Sequence, residues 1–128
     1  KDIGVIGVDS GYELYVAGNG GIKTEVAQFL CKVTSDEEVM EYSGAFLQLY
    51  REEGFYLERT CHYVARVGLD HVKAAVANDA AKRKDLYERL LFALQDYEDP
   101  WQAAVAKPAV RREYEVIQIK ELAAEVLS

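Results

Sequence analysis

No apolar run in this chain reaches the roughly 20 residues that a membrane-spanning helix requires, so no membrane partner is expected. The opening residues, Lys1-Asp2-Ile3-Gly4-Val5, lack the basic, apolar and small-residue succession of a secretory leader. They read instead as the start of a strand, as if cut from something longer. Basic residues are the minority, 15 against 22 acidic, for a formal net charge of −7. Their one cluster, Lys82-Arg83-Lys84, is diluted at once by Asp85 and Glu88. Phosphate recognition rests on a clustered cationic face, so no nucleic-acid partner is expected. Cysteine is scarce too. Cys31 and Cys61 lack C-x-x-C spacing, which excludes a disulfide framework and a zinc site. They are expected to be free, partly buried thiols of a reducing, cytoplasmic compartment. His62 and His71 have no partner at metal-ligand spacing and read as surface or interface residues.

What is present is the composition of a globular domain, 50% hydrophobic and 29% charged over 128 residues. Residues 3–9 and 12–17 are rich in β-branched and aromatic types, and Ser10 and Gly11 stand between them. That pattern predicts a β-hairpin. In the first strand Ile3, Val5 and Gly7 alternate with Gly4, Ile6 and Val8, so both faces are apolar or glycine. Such a strand is either covered on both sides or closely approached by a ligand. A third strand is expected near 28–33.

Helical signals follow. Thr34 or Ser35 can cap a helix, with Glu37 or Glu38 completing a capping box and Asp36 favouring the positive end of the dipole. Val39, Tyr42, Phe46, Leu49 and Tyr50 form an apolar stripe that ends by Gly54. A second helical run covers 56–67, closed by Gly68 in a left-handed cap. Leu69, Val72 and Val76 mark a third helix, and Leu86, Leu90, Ala93, Leu94 and Tyr97 a fourth over 79–97. Asp99-Pro100 starts a short helix through Ala106. Beyond Pro108, residues 113–119 are strand or helix and 120–127 a last helix. Strands first and helices after make an α+β fold: a hairpin or three-stranded antiparallel sheet over 1–33, helices over 34–106, and a tail over 107–128.

The sequence Gly18-Asn19-Gly20-Gly21 is the most flexible-looking stretch, and the one feature with a functional look. It is not a P-loop, because Ile22 intervenes before Lys23, and Lys23 stands where the dinucleotide fingerprint needs its third glycine. A structural connection and a backbone surface pressed against a ligand both remain open. Arg51, Arg59, Arg66 and Lys73 read as a solvated helix surface, and the many tyrosines as core or interface residues.

The strings Asp2-Ile3-Gly4-Val5-Ile6-Gly7-Val8-Asp9-Ser10-Gly11-Tyr12-Glu13 and Val16-Ala17-Gly18-Asn19-Gly20-Gly21 resemble the large subunits of bacterial assimilatory NAD(P)H nitrite reductases, of the sirohaem nitrite/sulfite reductase family. Leu30-Cys31-Lys32-Val33-Thr34, the run from Gly44 to Glu53, Tyr56-Leu57-Glu58-Arg59-Thr60, Arg66-Val67-Gly68-Leu69-Asp70 and Asp99-Pro100-Trp101 continue the likeness, which covers about residues 1–106. The resemblance implies reduction of nitrite to ammonia through FAD, a four-iron–four-sulfur cluster and sirohaem. It also implies that the family's C-x5-C and C-x3-C cluster ligands lie upstream, since Cys31 and Cys61 do not match them. The segment alone would then be inactive and hold no cofactor. Gly18, Asn19 and Gly20 match a glycine-rich loop that the family places beside the cofactor. The partners implied are the rest of the same large subunit and the small subunit, with self-association of the isolated segment. The reading from residues alone leaves open a non-catalytic α+β interaction module.

Overall fold

The computed structural model describes residues 1–107. They fall into two compact units, Lys1–Gln95 and a second that begins at Asp96. In the first unit, β1 (Ile3–Val8), β2 (Gly11–Val16) and β5 (Gln28–Val33) form a three-stranded antiparallel sheet in the order β1-β2-β5. A small hairpin, β3 (Asn19–Gly20) with β4 (Thr24–Glu25), leaves the sheet between β2 and β5. Four helices follow: α1 (Asp36–Glu53), α2 (Thr60–Val67), α3 (Leu69–Val76) and α4 (Ala80–Leu94). The fold is α+β, as the order of strand and helix signals predicts.

Period-two alternation decides which strand residues are buried. Residues opposite one another in an antiparallel pair share a face, so Val5, Leu14 and Cys31 lie on one side, as do Ile3 and Val16. Leu14 and Val16 are buried under Phe46 and Leu49 of α1, Tyr63 and Val64 of α2, Val72 and Val76 of α3, and Leu86 of α4. The core reaches Ile3 of β1 but leaves the middle of that strand open. Val5 faces the same way as buried Leu14 yet is 46% exposed, and Ile6 on the other face is 51% exposed. β1 is therefore apolar on both faces, as its sequence indicates, but its middle, Val5 to Gly7, is exposed while Ile3 packs against the core. Its outer backbone edge pairs with no strand among the described residues.

Local chemistry explains where the helices begin. The Ser35 hydroxyl accepts from the Glu38 N–H at 3.2 Å, and the Glu38 carboxylate accepts in return from the N–H (2.7 Å) and hydroxyl (2.9 Å) of Thr34. The box is thus shared over both candidate caps. Asp79 caps α4 through the Lys82 N–H, and Gly68, at φ 88°, both closes α2 and opens α3. Its ψ of 143° is extended, so it is not a left-handed helical cap.

Two helix expectations need correction. The run over 56–67 is helical only from Thr60, because residues 55–58 form a turn in which the Glu58 carboxylate takes the Phe55 N–H. The helix expected over 79–97 ends at Leu94, and its burial ends at Leu90, with Leu94 47% and Tyr97 69% exposed. Periodicity reveals which face of a helix is apolar but not how far its neighbour extends. In the second unit, α5 (Pro100–Ala106) starts as its sequence predicts, with Asp99 accepting from the Trp101 N–H at 2.9 Å. The expectations for 113–119 and 120–127 lie outside the described residues.

Candidate functional site

The glycine-rich stretch is ordered rather than a loose connection. Ala17, at φ 66°, turns the chain out of β2, and the Asn19 amide donates to the Lys23 carbonyl at 2.8 Å, closing the β3–β4 hairpin. Lys23 is exposed and paired to Glu25 at 2.8 Å. The two glycines have different reasons to be there. A side chain on Gly18 would meet the backbone of Lys1, whose carbonyl oxygen would lie 2.6 Å from the added carbon. Close approach of the Lys1 backbone is thus one reason for glycine at position 18. A side chain on Gly20 would meet nothing within 4 Å, and Gly20 is not at positive φ. Nothing among the described residues demands glycine at position 20.

Beside this hairpin a groove of about 270 Å³ runs against α2, floored by Ala17 and Cys61 and rimmed by Lys23, Glu25, Gln28 and His62. Sequence reasoning missed it, because residues far apart in the chain meet only through the docking of α2 on the sheet. The strand that enters the sheet is held there by Asp2. Its carboxylate accepts from the Thr60 hydroxyl at 2.6 Å and from Arg59 at 3.4 Å, and these bonds lower its pKa.

The two cysteines do not form a ligand set. The Cys31 thiol faces the core opposite Leu14, and burial pushes its pKa up to about 11. Cys61 is buried on α2. Among the described residues, no group of histidine, cysteine, aspartate or glutamate could hold a metal ion. An iron–sulfur cluster bound by four thiolates does not fit the residues present. His71 sits 2.8 Å from the Glu53 carboxylate, away from His62 on the groove rim. Burial raises the Glu53 pKa, but hydrogen bonds from Tyr63 and His71 outweigh it and leave the carboxyl below its usual range. Arg59 and Arg66 each have their own acidic partner and Lys73 lies over Phe29, so they do not form a shared basic face.

A second feature invisible in the sequence is the turn between α1 and α2. Arg66 grips the Glu58 carboxylate with two bonds of 2.8 Å, the Phe55 N–H adds a third, and the pKa of Glu58 falls to about 2. A carboxyl with a depressed folded pKa contributes stability above its unfolded value of 4.5, and that contribution disappears as the pH drops through 2. Acidification across that interval is expected to loosen the turn, seen as faster amide exchange at Phe55 and Glu58. Unchanged protection at the acid end would contradict the assignment. Leu57 in this turn has φ 61°, which costs a residue with a side chain about 1–2 kcal/mol.

The family model for the nitrite and sulphite reductase 4Fe-4S domain matches residues 1–84. The chain belongs to that family. It is 52% identical over 101 residues to an NAD(P)H nitrite reductase of Bacillus subtilis, covering 79% of this chain but 12% of the relative. It is 33% identical over 81 residues to the nitrite reductase (NADH) large subunit of Escherichia coli, covering 62% of this chain and 10% of that one. An assimilatory-type sulfite reductase of Nitratidesulfovibrio vulgaris is 26% identical over 76 residues, 59% of this chain and 35% of the relative. The chain thus spans about one-eighth of the length of the Bacillus relative. No solved structure matches. No described helix is long and apolar enough to cross a membrane.

Proposed function

We propose that this chain is the C-terminal part of the sirohaem domain, over 1–106, of a cytoplasmic NAD(P)H-dependent nitrite reductase large subunit, with 107–128 a tail. That enzyme reduces nitrite to ammonia with six electrons carried through FAD and an iron–sulfur cluster to sirohaem, and works with a small subunit. The observation that carries the reading is 52% identity to the Bacillus enzyme across 79% of a chain whose own thiols do not assemble a cluster site. Redox chemistry would come from the bound groups, while these residues supply scaffold and orientation. The open apolar edge of β1 also favours a part of something larger over a self-contained interaction module.

In this reading the backbone of Gly18, Asn19 and Gly20 lies beside the cofactor, and two alanine substitutions test it. Gly18→Ala collides with the Lys1 backbone and should destabilise the chain by about 1–3 kcal/mol, with or without cofactor. Gly20→Ala meets open space, so the 128-residue chain should be unchanged or up to about 1 kcal/mol more stable. In the full-length polypeptide that carries this segment, Gly20→Ala should lower the sirohaem absorbance per chain. Full loading would remove the hairpin from the cofactor site. The wider reading fails if the full-length polypeptide carries neither sirohaem nor iron–sulfur absorbance, or if the 128-residue chain, given iron and sulfide, assembles a cluster unaided.

A further inference from the structure

The turn between α1 and α2 places Phe55, Tyr56 and Leu57 in solvent at 65%, 93% and 82% exposure. Solvent-facing turns select Gly, Pro, Asn, Asp and Ser. Three consecutive large apolar side chains are contrary to that chemistry. The backbone is unusual as well, with Leu57 in the left-handed region that branched side chains avoid. The turn is nonetheless held firmly. Glu58 accepts from the Phe55 N–H and from Arg66, and Arg66 stacks 3.9 Å over the Phe55 ring and donates to the Glu53 carbonyl at 3.0 Å. The Tyr50 hydroxyl donates to the Glu58 carbonyl. These polar groups find partners within the chain, while Tyr56 and Leu57 remain in water. Backbone strain maintained by surrounding bonds marks functional contacts, and a rigid apolar anchor loses little entropy on binding.

We propose that residues 55–57 form a preformed plug that inserts Tyr56 and Leu57 into an apolar recess of the remainder of the same full-length polypeptide. This rests on the function proposed above. The occupant follows from length and continuity. Most of the Bacillus relative lies outside the matched segment. The turn is also coupled through Asp2, Arg59 and Thr60 to the open β1 edge, so one partner surface can cover both. A second copy of this chain is a poorer fit, because a protruding plug needs a recess. The groove beside α2 mixes Ala17, Val26 and Ala65 with charged Lys23 and Glu25, so burying the plug there would desolvate that ion pair.

The test compares the 128-residue chain with the full-length polypeptide. Tyr56 should be nitrated by tetranitromethane roughly tenfold more slowly in the full-length polypeptide than in the chain, as for a residue at the buried centre of an interface. Leu57→Gly removes the strain and one of the two inserting side chains. It should leave the melting temperature of the chain equal or higher and lower that of the full-length polypeptide. Leu57→Asn, polar yet tolerant of the left-handed region, should show the same opposition of sign. Equal nitration in both forms, or shifts of the same sign in both, overturns the plug. If sirohaem is present while these variants are neutral, only the plug is wrong. If sirohaem is absent from the full-length polypeptide, or no longer polypeptide exists, the functional reading fails as well.

Discussion

Gly11→Ala is expected to remove much of the stability of the sheet unit, by about 3–5 kcal/mol out of the roughly 5–15 available to a domain of this size. Gly11 opens β2 at φ 129°, a conformation that a side chain resists. The added carbon would collide with the carbonyl oxygen of Val33 and come within 2.9 Å of the Thr34 Cα. Both obstacles are backbone, so no rotamer change relieves them. They belong to the end of β5 that pairs with Tyr12, immediately before the cap of α1. Relief would therefore open the sheet or displace the first helix. Thermal unfolding followed by circular dichroism should show a fall of roughly 12 °C or more. Gly7→Ala is the control, since a side chain there meets nothing within 4 Å. A Gly11→Ala chain melting beside its parent would mean that the β2–β5 junction is not as described.

The second large effect concerns association. β1 is six residues long, Ile-Gly-Val-Ile-Gly-Val, with no charge and no proline. It thus lacks the devices that keep edge strands apart. With Val5 and Ile6 about half exposed on opposite faces and the outer backbone unpaired among the described residues, the isolated chain should self-associate across roughly micromolar to millimolar concentrations. Val5→Lys should make it monomeric without loss of helical signal, because the ammonium can reach solvent from a half-exposed position. In the full-length polypeptide the same substitution should lower the yield of folded protein, since the proposed partner surface would bury that charge. Sedimentation of the parent chain as a monomer throughout this range would show that the edge is protected after all.

The sequence made the element order legible because each signal was local. β-Branched and aromatic runs predict β1 and β2; Thr34 or Ser35 and Asp99 predict helix starts; and the stripe from Val39 to Tyr50 predicts the buried face of α1. The stretch from Gly18 to Gly21 was legible as unusual but not as ordered. The bond from Asn19 to the Lys23 carbonyl, and the Lys1 backbone lying over Gly18, depend on where the chain ends up. The turn at Leu57 left no signal, because a non-glycine residue at positive φ has no signature of its own.

Composition, periodicity and capping chemistry thus determined by themselves that this is an α+β unit, that β1 is apolar on both faces, and that the two cysteines make neither a disulfide framework nor a zinc site. Only the tertiary structure decided that the middle of β1 is exposed, that a side chain at Gly18 would meet the Lys1 backbone while one at Gly20 would meet nothing among the described residues, and that Tyr56 and Leu57 are held outward. The reason is physical: propensities and caps act over a turn of helix or a hairpin, whereas burial and close approach depend on which distant surfaces meet.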